Sequence, residues 1–315
     1  MPIVIDYVAA KAASGTELMM RGLDERLSEP LKSKFSIGRA IALFKNDPTI
    51  KLYWTHNLPT QRIIPEIEEH QTLKAENRWD IIDGVICVSE WQRQQYIDHY
   101  KIPKEEQSRF KVLRNAIVPI EEHKKPDGKI RLIYTSVPVR GLQILYDVFD
   151  KLSQKHEDIE LDVYSSFEIY GIPQTDIVHR RLLDQCRNHP KINYYGTVSN
   201  DELKQAFKRS HIFAYPSVFL ETSCISLIEA MSAGCVCVHP DIGAMGETAA
   251  GFTEMYKKAE NRTEFHPLFE RALEEAIFKV RNKEINTSEQ VMYTNKTYSW
   301  DTRIQEWNEH LNNLI

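Results

Sequence analysis

The sequence predicts an α/β protein of two domains, each built on a parallel β-sheet covered by helices on both faces. Three features predict it. Short apolar runs alternate with amphipathic stretches along the whole chain, and 315 residues suffice for two cores of ordinary size. One polar segment, "PIEEHKKPDGK" from Pro119 to Lys129, carries two prolines and a glycine and breaks the rhythm. The runs "PIVIDYV", "KLYWT", "DGVICVS" and "RFKVLR" precede it, and "KIRLIYTS", "IELDVYS", "KINYYG", "HIFAYPS" and "CVCVHP" follow. Such short apolar runs read as strands buried on both faces. Between them, "TELMMRGLDERL", "LQILYDVFDKLSQKH" and "SNDELKQAFKRS" have helical spacing, and alternating strands and helices make βαβ units. A first domain is expected over residues 1–120 and a second over 127–296. In the final stretch Trp300, Ile304, Trp307, Leu311 and Leu314 share one helical face. A helix over 299–315 is therefore expected to pack back on the first domain.

Composition removes several function classes. Hydrophobic residues are 42% and charged residues 27%, as in ordinary soluble proteins. A net charge of -5 argues against nucleic acid as a partner. Through position 118 there are 17 basic and 16 acidic residues, so no strong membrane-binding patch shows in composition; peripheral membrane contact stays open. No apolar run approaches the roughly 20 residues that span a bilayer, and the N-terminus lacks a basic n-region with a cleavage site. Five cysteines without any CxxC suit free thiols in a reducing, cytoplasmic compartment. No cysteine–histidine cluster has metal-site spacing, so no metal is expected.

The chemistry concentrates in "FAYPSVFLETSCISLIEAMSAGCVCVHPDIGAMGET", where Glu221 and Glu229 are separated by seven mostly apolar or small residues. A helix is expected to start at "TSCI", with Thr222 and Ser223 capping it and its free N–H groups facing an anion such as a phosphate. Glu221 would precede that helix and Glu229 lie about two turns inside it, roughly 9–12 Å further along the axis. A sugar–diphosphate–ribose unit has that reach. Carboxylates accept from hydroxyls, so Glu221 suits a sugar and Glu229 a ribose. A lone glutamate would read as part of a solvated stripe. Here Ile225, Leu227, Ile228, Ala230 and Met231 surround Glu229, and a buried charge needs a partner.

The run "YPSVFLETSCISLIEAMSAGCVCVHPDIGAMGET" resembles the donor-site signature of glycosyltransferase family 4, with its glutamate–seven residues–glutamate motif at Glu221 and Glu229. "KINYYGTVSNDELKQAFKRSHIFAYPS", "IYTSVPVRGLQILYDVF", "DGVICVSEWQRQQYIDHYKIPKEEQSRFKVLRNAIV", "LYWTHN" and "ASGTELMMRGL" extend the resemblance over most of the chain. It implies a GT-B fold, two Rossmann-like domains facing a central cleft, here with a shortened N-terminal domain. It also implies a retaining, metal-independent transfer of sugar from a nucleotide-diphosphate sugar, with no cofactor. The acceptor would be a hydroxyl on a glycan, a lipid-linked molecule or a small molecule.

The resemblance assigns roles by position. Glu221, His56 and Arg140 would be catalytic: Glu221 orients the sugar, His56 lies by the sugar and acceptor, and Arg140 neutralises the leaving diphosphate. Gly15, Val198, Thr222, Ser223, Cys224, Ile225 and Glu229 would bind the donor, with the backbone at Val198 contacting the base. Read as residues alone, Arg140 also fits a surface arginine, His56 a strand cap and Gly15 a simple turn. The family often has a second basic residue where this chain reads Thr135 and Ser136, and paired glycines where it reads Ser14 and Gly15. Asn115 reads as a turn residue, and Cys235 and Cys237 as core. Asp6 has no assigned role. A second class of function fits the missing basic residue and the short first domain: an inactive nucleotide-sugar-binding module that partners an active transferase. Release of free nucleoside diphosphate from nucleotide sugars separates the two.

Overall fold

The computed structural model describes residues 15–39, 48–61 and 71–315. The expected strand "PIVIDYV", with Asp6 and Ser14, lies outside the described residues. The chain divides into two compact units, Met1–Ala116 with Trp300–Ile315, and Ile117–Ser299.

In the first unit, β1 (Phe35–Gly38), β2 (Ile50–Trp54), β3 (Gly84–Cys87) and β4 (Phe110–Val112) form a parallel sheet in that order. Every residue of β3 is buried, as its unbroken apolar run requires. Tyr53, Val85 and Phe110 pack with Tyr96 and Ile97 of the helix Glu90–Tyr100. The final helix, Trp300–Asn312, belongs to this unit and buries Trp300, Arg303, Trp307 and Leu311. The Trp307 ring meets Trp54 edge-on at 5.0 Å. Trp300 lies so close to Gly22, in the helix Gly15–Arg26, that a Cβ there would come within 2.1 Å of the indole. Ile304 is half-buried, and Leu314, expected on the same face, is exposed.

The second unit holds a six-stranded sheet in the order β10-β9-β8-β5-β6-β7, with every described pairing parallel. The strands are β5 (Ile130–Thr135), β6 (Ile159–Tyr164), β7 (Ile192–Tyr194), β8 (Ile212–Ala214), β9 (Val236–Pro240) and β10 (Glu254–Tyr256). The helix Leu142–Lys155 places Leu142, Leu145, Val148, Phe149 and Leu152 on one buried face. The helix Asn200–Arg209 opens on a capping box of Ser199 and Glu202. From β5 the chain first winds outward to β6 and β7, then returns to β8 and winds the other way. The strand order thus reverses between β5 and β8, and ligands of open α/β sheets sit at such a switch point, outside the carboxyl ends of the strands. Among the described residues no helix is long and apolar enough to cross a membrane.

Candidate active site

The segments leaving β5 and β8 meet at this switch point. After β5 the chain makes a single 3-10 turn, Pro138–Arg140, and Gly141 follows at φ +107°. A Cβ at Gly141 would lie 2.1 Å from the carbonyl oxygen of Pro216, in the segment after β8. Only glycine meets both conditions, the left-handed backbone and the close approach. The "RG" pair therefore seats Arg140 against the β8 loop.

Glu221 lies in that loop and is 4% exposed. Its carbonyl accepts from Ala244 N–H at 2.8 Å, and Gly243 at φ +61° backs it so closely that a Cβ would reach within 2.4 Å. Its carboxylate accepts from Arg140 Nη1 at 2.8 Å on both oxygens, and from the Tyr215 hydroxyl at 2.6 Å on Oε1. The Arg140 guanidinium stands 4.3 Å from the Phe219 ring centre. Burial works to lower the pKa of Arg140, but the charge of Glu221, with Tyr215 and Tyr170, outweighs it and raises the value. Burial, then the charge of Glu221, pushes the Tyr215 hydroxyl well above its ordinary range.

The signature helix runs Ile225–Ser232, with Cys224 at its N-cap and no side-chain cap bond. This corrects the expected start at Thr222: Thr222 and Ser223 form a bend ahead of the helix, and the cap position falls on Cys224. The first-turn N–H groups left without intrahelical partners are those of Ile225, Ser226 and Leu227. Ser226 Oγ donates to Thr135 C=O at 3.1 Å, tying the helix start to the end of β5. Glu229 is accordingly the fifth helical residue, about one turn in rather than two. Leu227, Ile228, Ala230 and Met231 are buried around it. Among the described residues its carboxylate has no hydrogen-bond or ion-pair partner. Burial raises its pKa to about 7, opposed by the charge of Lys204.

Val198 is half-buried against the core of this unit, between Gly196 at φ +67° and the capping box. Cys235 and Cys237 are in the core, and all five cysteines are buried and free. In the first unit, His56 follows β2 by two residues, its ring 4.9 Å from Trp54. Burial, and then the charge of Arg39, lowers its pKa to about 3, so the ring is neutral at ordinary pH. Its segment is braced by Gln92, whose side chain donates to Thr55 C=O (3.3 Å) and Asn57 C=O (2.8 Å) and accepts from Val88 N–H (2.7 Å). Asn115 is buried, and Gly15 is the first residue of its helix. No group of three or more His, Cys, Asp or Glu able to hold a metal is found among the described residues.

Of the expected residues, the fold thus brings Arg140 onto Glu221 and sets Thr222–Ile225 and Glu229 in continuous chain beyond them. Gly15 and His56 belong to the other unit. Tyr215, Phe219 and Gln92 escaped sequence reasoning. The "YPS" of the signature was the available signal for Tyr215, yet its tyrosine reads as one more apolar strand residue.

HepE of Anabaena, solved with UDP, matches 92% of this chain and 84% of its own at 14% identity, with a TM-score of 0.68. A glycosyltransferase of Rickettsia africae matches 97% and 83% at 13% identity, TM-score 0.65. TarM of S. aureus matches 94% of this chain but only 58% of its own, at 14% identity and TM-score 0.61, so this chain spans less than two thirds of TarM. These likenesses show the GT-B fold, an α/β fold of two Rossmann-like domains. No curated protein matches the chain significantly in sequence. The family described as glycosyl transferases group 1 matches residues 117–291, more than half of the chain and nearly all of the unit that carries Arg140, Glu221 and Glu229, and the chain belongs to that family.

Proposed function

We propose that the protein is a family 4-like glycosyltransferase that moves a sugar from a nucleotide-diphosphate sugar to a hydroxyl acceptor, with retained configuration and no metal ion. The observation that carries this reading is the buried Glu221–Arg140 pair at the switch point, beside a helix start and the open Glu229 carboxylate. HepE has been solved with UDP-glucose, and with UDP and glucose, which supports a nucleotide-sugar donor here. Glu229 takes the ribose hydroxyls, the first turn of the helix and Arg140 take the diphosphate, and Glu221 takes the sugar. The acceptor oxygen bonds to the anomeric carbon as the carbon–phosphate oxygen bond breaks. The acceptor's proton passes to a phosphate oxygen on the same face. Charge grows on the diphosphate as that bond opens, so Arg140 stabilises the transition state more than the ground state. His56, neutral at ordinary pH, suits hydrogen bonding to a sugar or acceptor hydroxyl.

The test incubates the protein with a panel of nucleotide sugars and follows free nucleoside diphosphate, with EDTA or magnesium, alongside thermal unfolding. Release from one donor, indifferent to EDTA, is expected. Arg140→Ala should lower turnover more than donor affinity, with lysine rescuing in part. No stabilisation and no release with any donor would sink the reading; a strict magnesium requirement would remove its metal-free part.

A further inference from the structure

A diphosphate drawn to Arg140 competes with Glu221 for the same guanidinium. Its Nη1 is engaged by both oxygens of Glu221, a carboxylate that is 4% exposed. Drawing the guanidinium away strips a buried anion of its cation. Such stranded charges are costly, more so than the intact pair is favourable. The loop from Thr135 to Gly141 reads "TSVPVRG" and holds no second cation, so Arg140 cannot delegate the task within that loop.

One group is placed to keep Glu221 solvated during that exchange. The Tyr215 hydroxyl donates to Oε1 at 2.6 Å and is also within hydrogen-bond distance of Ser136 Oγ, at 3.4 Å. Its ring is buried and fixed, 5.3 Å from Phe213 and 5.8 Å from Tyr134. Its backbone N–H donates to Val238 C=O at 2.9 Å. Tyr215 thus holds Glu221 independently of Arg140, from the residue that directly follows β8 rather than from a ligand.

We propose that Tyr215 is a positioning residue that keeps Glu221 hydrogen-bonded and aimed while Arg140 passes from Glu221 to the incoming diphosphate. The Arg140–Glu221 pair is then a latch that the donor opens, and Tyr215 is what lets it open. The inference rests on the proposed function and deepens it.

The experiment is a binding cycle on the intact chain. Affinity for uridine, guanosine and adenosine diphosphates is measured by calorimetry, and the tightest of the three is carried forward. Four proteins are compared: wild type, Tyr215→Phe, Glu221→Gln and the double variant. Tyr215→Phe should weaken the nucleotide about tenfold, because opening the latch now strands a buried carboxylate without a donor. In the Glu221→Gln background the same change should cost less than about twofold, since no anion is left to strand. Transfer by Tyr215→Phe should also fall in kcat, because the sugar's acceptor group is no longer aimed. An equal loss in both backgrounds would mean that Tyr215 only packs, and would overturn the proposal; so would no loss in either. Phenylalanine keeps the ring, and unchanged thermal midpoints show that all four proteins are folded. Should Tyr215→Phe fail to fold, Ser136→Val, which crowds the hydroxyl from its other side, is expected to give the same background-dependent loss, and equal affinities there would count against the proposal. Wild type that binds none of the diphosphates would defeat the function reading itself, a result distinct from wild-type binding that Tyr215→Phe leaves intact.

Discussion

A half-buried carboxylate without a hydrogen-bond partner is slow to give up its proton, and the pKa of Glu229 is raised to about 7. The folded value lies above the ordinary one of 4.5. Its contribution to stability is therefore full below the unfolded value and is lost as pH rises through the folded one. Ligand binding runs in the opposite direction. Ribose hydroxyls are donors and need the ionised form, which only Lys204 supports from the neighbouring helix. Nucleotide affinity should be flat above about pH 7 and fall up to about tenfold per pH unit below it. Calorimetry at pH 6 and 8, in buffers of differing ionisation heat, checks this through proton release. A Glu229→Gln variant should bind more weakly and lose the slope; the same slope in the variant would take Glu229 out of the site. The setting of this residue was legible in the sequence, a carboxylate among apolar neighbours. That of Tyr215 was not, because its partner is reached only when the chain reverses through Pro216–Phe219.

Among the elements, the turn that ends in Arg140 is the most tightly specified. A methyl at Gly141 would meet the Pro216 carbonyl and force an L-residue into φ +107°. Gly141→Ala should lower stability by about 1–3 kcal/mol and displace Arg140, so chemical denaturation and turnover should fall together. Turnover unchanged in a destabilised protein would show that the turn is not what positions the arginine. Most strands and helices could be read in advance because their apolar residues recur with the right period. The strands β1 and β10 could not. "FSIG" carries a buried serine and a glycine, and "EMY" is a three-residue edge strand with no buried residue to betray it. The start of the signature helix was misplaced for a related reason. Thr222 and Ser223 are favoured cap residues, but backbone packing at Glu221 and Gly243 fixes the bend before the helix can begin.

At the scale of the molecule, the first unit is discontinuous: it uses the chain up to Ala116 and again from Trp300. All five tryptophans, at 54, 79, 91, 300 and 307, lie in it. Tryptophan fluorescence thus follows that unit alone, while far-ultraviolet dichroism follows both. Trp307→Ala deletes a fully buried indole that packs on Trp54 and should cost about 3–5 kcal/mol. The unfolding free energy read by fluorescence should drop by that amount, with a lowered midpoint. An unmoved fluorescence midpoint would contradict the role given to this helix.

The return of the chain also sets an order in time. Residues 117–299 leave the ribosome after the N-terminal strands but before the helix that covers Trp54 and Gly22. At about 5–20 residues added per second, that apolar face waits roughly 10–40 s for its cover. Through that interval the nascent N-terminal region depends on chaperones or on its own partial collapse, while the second unit already has every residue it needs. The unit that is synthesised first is the one that is finished last.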